Sequence, residues 1–368
     1  MASPETVDID SLLQPISDDK PVGNDIREDS SPNSSYYTLK DARNAARAAE
    51  RNSMFDGGSS EADDNWRKIR DLAPKILKDE AKDLEVACWY CEALIRSHSF
   101  QGLRDGFKIV RQLIEQYWDD IYPLPDEDGI ETRIAPLIGL NGEGAEGVLI
   151  TPIRNVKLTQ GQSVGPYTLW QYQQTLDIQK IIDEEQRTQR IAKNGFSIDD
   201  VNTAVSESSQ EFYIDMIDDL ESAIAEFRQI GSMLDERCGI HEAPPTSNIV
   251  NTLQDFLGSI NHLAKYKLPA EEIVETGVEN TEMTNQGAAP TVVAKGPVQN
   301  RDDAFRQLNE IADFFRKTEP HSPISYVLQK AVNWGEMPLC DLIKELIPDS
   351  SSRDFYSSLT GVKVNDEY

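Results

Sequence analysis

The chain has 368 residues, and 64 aspartates and glutamates against 36 lysines and arginines leave it a formal charge of −28. A surface this negative repels phosphate backbones and anionic lipid headgroups, which disfavours nucleic acid or a charged bilayer as a direct partner and favours a basic protein surface. No Lys/Arg-rich run breaks the rule, and no apolar run approaches the ~20 residues a membrane span needs.

The opening MASPETVDID has neither the basic nor the apolar region of a secretory signal. Four cysteines are too few for a disulfide framework. The expectation is a cytoplasmic protein with reduced thiols, built from about two to three domains.

Residues before about Ser35 are rich in Pro, Ser and Asp and read as an extended arm laid over a core. Tyr36 to Arg51 is an Ala-rich helix, broken by Gly57-Gly58-Ser59-Ser60. Asp63 or Asp64 is placed to cap the next helix, in which Trp66, Ile69 and Ile76 recur at helical spacing and Pro74 predicts a kink or split. Leu84, Cys88, Cys91 and Ile95 share one helical face. After a predicted turn at Gly102, Leu103, Phe107, Val110, Ile114 and Trp118 share another, so the pair reads as an antiparallel hairpin.

Val148 to Thr159 is rich in β-branched residues and partly alternating, and with Gly161 to Pro166 it predicts a short β-hairpin or an extended pair. Helices resume near Leu169. From about Glu211 to Glu236 one long helix carries Tyr213, Ile217, Leu220, Ile224, Phe227, Ile230 and Leu234 on one side, as a bundle helix first and a short coiled-coil seam second. Glu271 to Asn300 is polar, aperiodic and poor in aromatics, as flexible linkers are.

Beyond it, Phe305, Leu308, Ile311 and Phe315 mark one helix. Ser322 and Pro323 fit the N-cap and the first helical position of a second with Val327, Leu328, Ala331 and Trp334, stopped by Gly335. Leu339, Leu342, Ile343 and Leu346 make a third, closed by Pro348. The fold class is therefore mainly α. An amino-terminal helical-hairpin domain with a short β-hairpin (1–165) precedes a middle helical region (166–265), a flexible linker (266–300) and a small helical tail domain (301–368).

Several motifs carry possible chemistry. Gly142-Glu143-Gly144-Ala145-Glu146-Gly147 matches G-x-G-x-x-G. However, Val148-Leu149-Ile150-Thr151-Pro152 is unsuited to the helix a dinucleotide site needs, and two glutamates would face the phosphates, so it reads as a loop. Cys88-x-x-Cys91 and Cys238-x-x-His241 have zinc-ligand spacing, but the first pair falls mid-helix on an apolar face, where free Cys behaves as a small hydrophobe.

His98, His241, His262 and His321 form no triad or H-E-x-x-H signature. The abundant carboxylates read as solvated faces. No catalytic residue, cofactor site or metal site is assigned. Tyr117, Trp118 and Tyr122 read as core anchors rather than a ligand cage, with Asp119 and Asp120 at the surface.

Three blocks of residues together resemble the TssA (ImpA-type) family of the bacterial type VI secretion system. The first is Leu12-Leu13-Gln14-Pro15-Ile16 with Pro21-Val22-Gly23-Asn24-Asp25-Ile26-Arg27. The second runs from Lys82-Asp83-Leu84 to Tyr117-Trp118-Asp119-Asp120-Ile121-Tyr122-Pro123. The third is Glu319-Pro320-His321-Ser322-Pro323 with Gln329-Lys330-Ala331-Val332 and Trp334-Gly335-Glu336-Met337.

The resemblance makes Pro15, Gly23, Asp25, Arg27, Trp118, Asp119, Tyr122, Pro123, Pro320, Ser322 and Pro323 structural signature positions. It implies a non-enzymatic assembly factor without cofactors, cytoplasmic and associated with the apparatus at the inner membrane face without inserting into it. Such a protein forms a ring through its carboxy-terminal domain and contacts baseplate, tube and sheath components. A low-order adaptor that anchors the sheath is the alternative. Phe305, Leu308, Phe315, Val327, Leu328 and Trp334 are expected to pack the tail domain or its oligomer interface, since a small tethered domain with a wide apolar face gains from oligomerisation.

Overall fold

The structure, a computed structural model, describes residues 3–56, 60–127, 129–239, 242–268, 301–318, 323–337, 339–347, 349 and 353. The chain divides into two compact units, Met1–Val274 and Glu275–Tyr368. Among the described residues the fold is helical, with β structure confined to isolated bridges. The polar stretch 271–300, and most of the linker predicted over 266–300, lie outside the described residues.

In the first unit α1 (Ile9–Leu13) leads into an extended arm and then α2 (Ser35–Asp56), α3 (Ser60–Asp79) and α4 (Leu84–Tyr117). α3 starts at Ser60, earlier than an Asp63 or Asp64 cap would have it. Glu61 and Asp63 lie inside its first turn, where carboxylates suit the exposed N–H groups. It continues through Pro74 as one helix.

α4 is two arms. His98 and Ser99 leave helical geometry, and Ser99 takes φ +57° and ψ −142°. In a straight helix Cys91 and Gly106 would stand about 22 Å apart. Instead a Cβ on Gly106 would lie 2.8 Å from the Cys91 Sγ, and one on Gly102 2.4 Å from the Leu94 carbonyl oxygen. The chain therefore reverses at His98–Ser99, and the arms run back along each other. The hairpin forms as expected, but Gly102 is not its turn; Gly102 and Gly106, one helical turn apart, let the second arm approach the first.

α5 (Glu131–Asn141), α6 (Ile150–Arg154), α7 (Leu169–Gln179), α8 (Glu184–Asn194), α9 (Ile198–Glu207), α10 (Gln210–Cys238) and α11 (Ser247–Leu263) complete the unit. The predicted β-hairpin is not formed. Ile150–Arg154 is a short helix, and only an antiparallel bridge between Lys157 and Thr168 remains. Pro152 sits in the first turn of α6, where its missing N–H costs nothing. The β-branched Ile150, Ile153 and Val156 supply buried surface rather than a pleat.

α10 lies along α4, with Phe107 and Phe227 ring centroids 4.6 Å apart, and Phe100 meets Phe256 of α11 edge-on at 4.6 Å. One continuous core thus runs through residues assigned from sequence to separate amino-terminal and middle regions.

The second unit contains α12 (Arg301–Thr318), α13 (Ile324–Glu336) and α14 (Leu339–Leu346). α12 turns Ala312 inward, while Ile311, expected on its packed face, is exposed. Gly335 does not stop α13 but lies inside it. A Cβ there would overlap the Phe305 ring, at 2.1 Å from Cζ, so the glycine makes room for the phenylalanine.

Candidate functional site

The first two sequence blocks meet in a clamp on the short connection between α3 and α4. Lys82 N–H donates to the Val22 carbonyl (2.9 Å) and Asn24 N–H to that of Glu80 (3.4 Å). Gly23 has φ +77°, and a Cβ on it would sit 2.0 Å from the Glu80 oxygen, so only glycine fits. On the other side Tyr122 N–H donates to the Lys82 carbonyl (3.0 Å) and Leu84 N–H to that of Tyr122 (2.8 Å). Lys82–Asp83 is therefore the middle of three extended segments drawn from far apart in the chain.

Arg27 closes the clamp. Its guanidinium donates to Asp83 (2.6 Å), Glu85 (2.7 Å) and Asp25 (3.2 Å) and lies 4.8 Å from the Tyr36 ring centroid. Burial opposes its charge, but Asp83 and Glu85 more than offset this and raise its pKa. Asp83 is fully buried and caps α4 by accepting from Val86 N–H (3.0 Å). The Tyr36 hydroxyl donates to Glu85 (3.0 Å), its ring stacks on Trp89 at 5.6 Å, and burial with the nearby Glu85 charge pushes its pKa up to about 12. Pro15 follows the end of α1 and is exposed.

Lys82 was not singled out from sequence, although it opens the second block. It is wholly buried, and its Nζ donates to the carbonyls of Leu12 (2.7 Å) and Leu77 (2.6 Å), tying α1 to α3. Burial lowers its pKa to about 8.

The aromatic corner is organised by arginines. Arg133 of α5 donates to the Trp118 carbonyl (2.6 Å) and to those of Pro123 and Asp119 (both 3.3 Å). Arg133 and Arg237 lie 5.3 and 5.6 Å from the Trp118 ring, which is 8% exposed. The Tyr117 hydroxyl donates to the Leu13 carbonyl (2.6 Å). Pro123 is buried, Tyr122 half-buried, and Asp119 and Asp120 exposed.

A third network fixes the first described residues. Arg104 donates to Asp219 (2.6 Å) and to the Ser3 carbonyl (2.7 Å), and Thr6 N–H donates to Asp105 (2.6 Å). No local signal in the sequence links these residues. Asn141 is similar: fully buried, it accepts from Ile249 N–H (2.9 Å) and caps α11 from the end of α5.

The cysteine and glycine motifs do not assemble a site. Cys88 and Cys91 are fully buried in the α4 hairpin, and burial raises both thiol pKa values, which disfavours the thiolate a metal requires. Cys238 is half-buried at the end of α10, and His241 lies outside the described residues. Among the described residues no group of three or more His, Cys, Asp or Glu could hold a metal ion. Gly142, with φ +84°, ends α5, and the loop folds back so that Val148 N–H reaches the Gly139 carbonyl (3.0 Å).

In the tail unit Phe305, Leu308, Phe315, Leu328 and Trp334 are half-buried, and Val327 is 60% exposed. Among the described residues of this unit Ala312, Ser325, Val332 and Ile343 are buried; Ile343 was expected on the apolar face of its helix, whereas Ala312 and Ser325 are small and carry no such signal. Pro323 occupies the N-cap of α13 rather than its first turn; Pro320, Ser322, His321 and Pro348 lie outside the described residues.

With this geometry in hand, residues 13–142 match a family described as ImpA, N-terminal, type VI secretion system. The chain is 26% identical over 353 residues to Type VI secretion system component TssA1 of Pseudomonas aeruginosa strain PAO1, covering 94% of this chain and 97% of that protein. The fold is similar to the N-terminal domain, including the conserved ImpA_N region, of the TssA component from Burkholderia cenocepacia. The TM-score is 0.58 at 24% identity, over 71% of this chain and 94% of that one.

Proposed function

We propose, on the premise that the chain belongs with the ImpA-type TssA components of type VI secretion systems, that it is a non-enzymatic assembly factor. It self-associates through residues 301–368 and holds baseplate, tube and sheath components on the cytoplasmic face of the inner membrane while the contractile tail is built.

The observation that carries this reading is the apolar surface of the tail unit. Tyr326 is 63% exposed, Val327 60% and Ile311 45%. Three short helices bury little surface by themselves, and exposed side chains of this kind are best covered by another copy. Burying one Val- or Leu-sized side chain is worth about 1.5–3 kcal/mol, so a few per protomer suffice once a ring closes. Among the described residues no helix is long and apolar enough to cross a membrane.

Light scattering on the full chain tests the proposal. The expected result is a discrete high-order oligomer that the pair Tyr326→Glu and Val327→Glu disperses, with unchanged helicity. A monomeric wild-type chain would overturn it. Pull-downs against baseplate and sheath proteins then test the partners.

A further inference from the structure

We propose that the first unit carries a second recognition site: a cleft between α2, the first arm of α4 and residues 146–157 that takes a short acidic segment of a partner protein with an apolar anchor. This does not rest on self-association of the tail.

The sequence contains no basic run, but Arg43, Arg47 and Arg51 recur every fourth residue of α2 and so share one face. Arg96 joins them from α4. Two of the four are committed: Arg43 pairs with Glu92 (2.7 Å), and Arg96 pairs with Glu50 (2.6 Å) and lies 3.8 Å from the Trp66 ring. Arg47, half-buried, and Arg51, exposed, have no ion-pair or hydrogen-bond partner among the described residues. Burial, together with Arg43, Arg51 and Arg96, works against the charge on Arg47, and Glu92 alone favours it. A carboxylate arriving between Arg47 and Arg51 would relieve that repulsion.

Arg47, Arg51 and Arg96 line a cleft of 830 Å³ together with Lys157, and Ile95, Val148, Val156 and Met216 supply apolar lining. Its acidic neighbours are largely spent. Glu50 is held by Arg96 and by the Trp66 indole N–H (2.7 Å), and Glu146 by Arg154 (3.0 Å), which leaves Asp63. A positive, partly apolar hollow on a chain of charge −28 selects a short acidic stretch. A long polyphosphate would run beyond it onto repelling surface. The volume, within the roughly 300–1,000 Å³ of ordinary ligand pockets, admits a few side chains rather than a domain.

The test is fluorescence anisotropy of the full chain with a fluorescein-labelled octapeptide of aspartate and glutamate containing one leucine and one phenylalanine. Binding should weaken with salt. It should fall about tenfold in Arg47→Gln, where a partly buried charged hydrogen bond is lost, and about threefold in the exposed Lys157→Gln. Arg190→Gln, an equal charge change on exposed α8, should bind as wild type. Equal binding by all three variants, no binding at millimolar peptide, or tighter binding of an eight-nucleotide thymidine strand would each overturn the proposal. Lys157→Gln keeps the test decisive should Arg47→Gln misfold.

Discussion

Gly106 rests directly on Cys91: a Cβ added to the glycine would lie 2.8 Å from the sulfur and 3.2 Å from the Cys91 Cα. The two arms of α4 are thus as close at this level as backbones with one small side chain between them can be. Gly102 is tighter still, because what a Cβ would strike there is the Leu94 backbone oxygen, at 2.4 Å. Gly106→Ala should therefore destabilise the first unit by about 1–3 kcal/mol, and Gly102→Ala by at least as much. Adding Cys91→Ala should recover part of the Gly106→Ala loss and none of the Gly102→Ala loss. Urea titrations of wild type, the three single variants and the two double variants measure this coupling.

Ser99 turns the hairpin with φ +57°, in a region that costs a non-glycine residue about 1–3 kcal/mol. Ser99→Gly removes that cost against roughly 1 kcal/mol of added unfolded-state entropy. The variant should therefore melt no lower than wild type and up to several degrees higher, while Ser99→Val should melt well below it. Differential scanning calorimetry separates the outcomes.

Much of the helical plan was legible, and these two positions explain where it was not. α10 could be read because Tyr213, Leu220, Ile224, Phe227, Ile230 and Leu234 keep helical spacing over many turns and all become buried. The α4 hairpin was readable from its two apolar faces, but its turn was not. The glycine that looked like a turn serves close packing, and a serine carries the turn's positive φ. The clamp was legible only as a resemblance in Gly23, Asp25, Arg27 and Asp83. Arg27 meets Asp83 across 56 residues, and no local pattern encodes a pairing at that distance. The arginine face of α2 forms no run in the sequence: Arg43, Arg47 and Arg51 stand four residues apart, and only the helix brings them together.

Arg27 is the more exposed half of that pair, since Asp83 has no exposure at all. Arg27→Ala should cost about 3 kcal/mol or more, because it leaves a buried carboxylate without its counter-charge. Arg27→Lys should recover only part, as one ammonium cannot serve Asp83, Glu85 and Asp25 together. Thermal melts of the two variants, with Gly23→Ala as a third expected to be severely destabilised, test whether the arm is structural.

Lys82 gives the first unit a specific pH dependence. Its pKa is about 8 folded against an ordinary 10.5, so between those values the unfolded chain holds the extra proton and stability rises with pH. Below about 8 the buried ammonium imposes its full cost, on the order of 3 kcal/mol. Cys88, Cys91 and Tyr90, whose pKa values burial raises, act in the opposite sense once pH passes their ordinary values. The difference between wild type and Lys82→Met isolates the lysine. That difference should shift in favour of wild type from pH 7.5 to 9.5 in guanidinium titrations, and a flat difference would refute the assignment.

The Arg104 network sets an order on biosynthesis. Ser3 and Thr6 are made well before their partners: Ser3 finds Asp219 across 216 residues and Thr6 finds Asp105 across 99. An arginine destined for burial must stay hydrated until α10 has emerged. The first unit thus cannot close before α10 is made, and a nascent chain arrested short of α10 exposes both the α4 face meant for it and a Ser3 whose Asp219 partner does not yet exist.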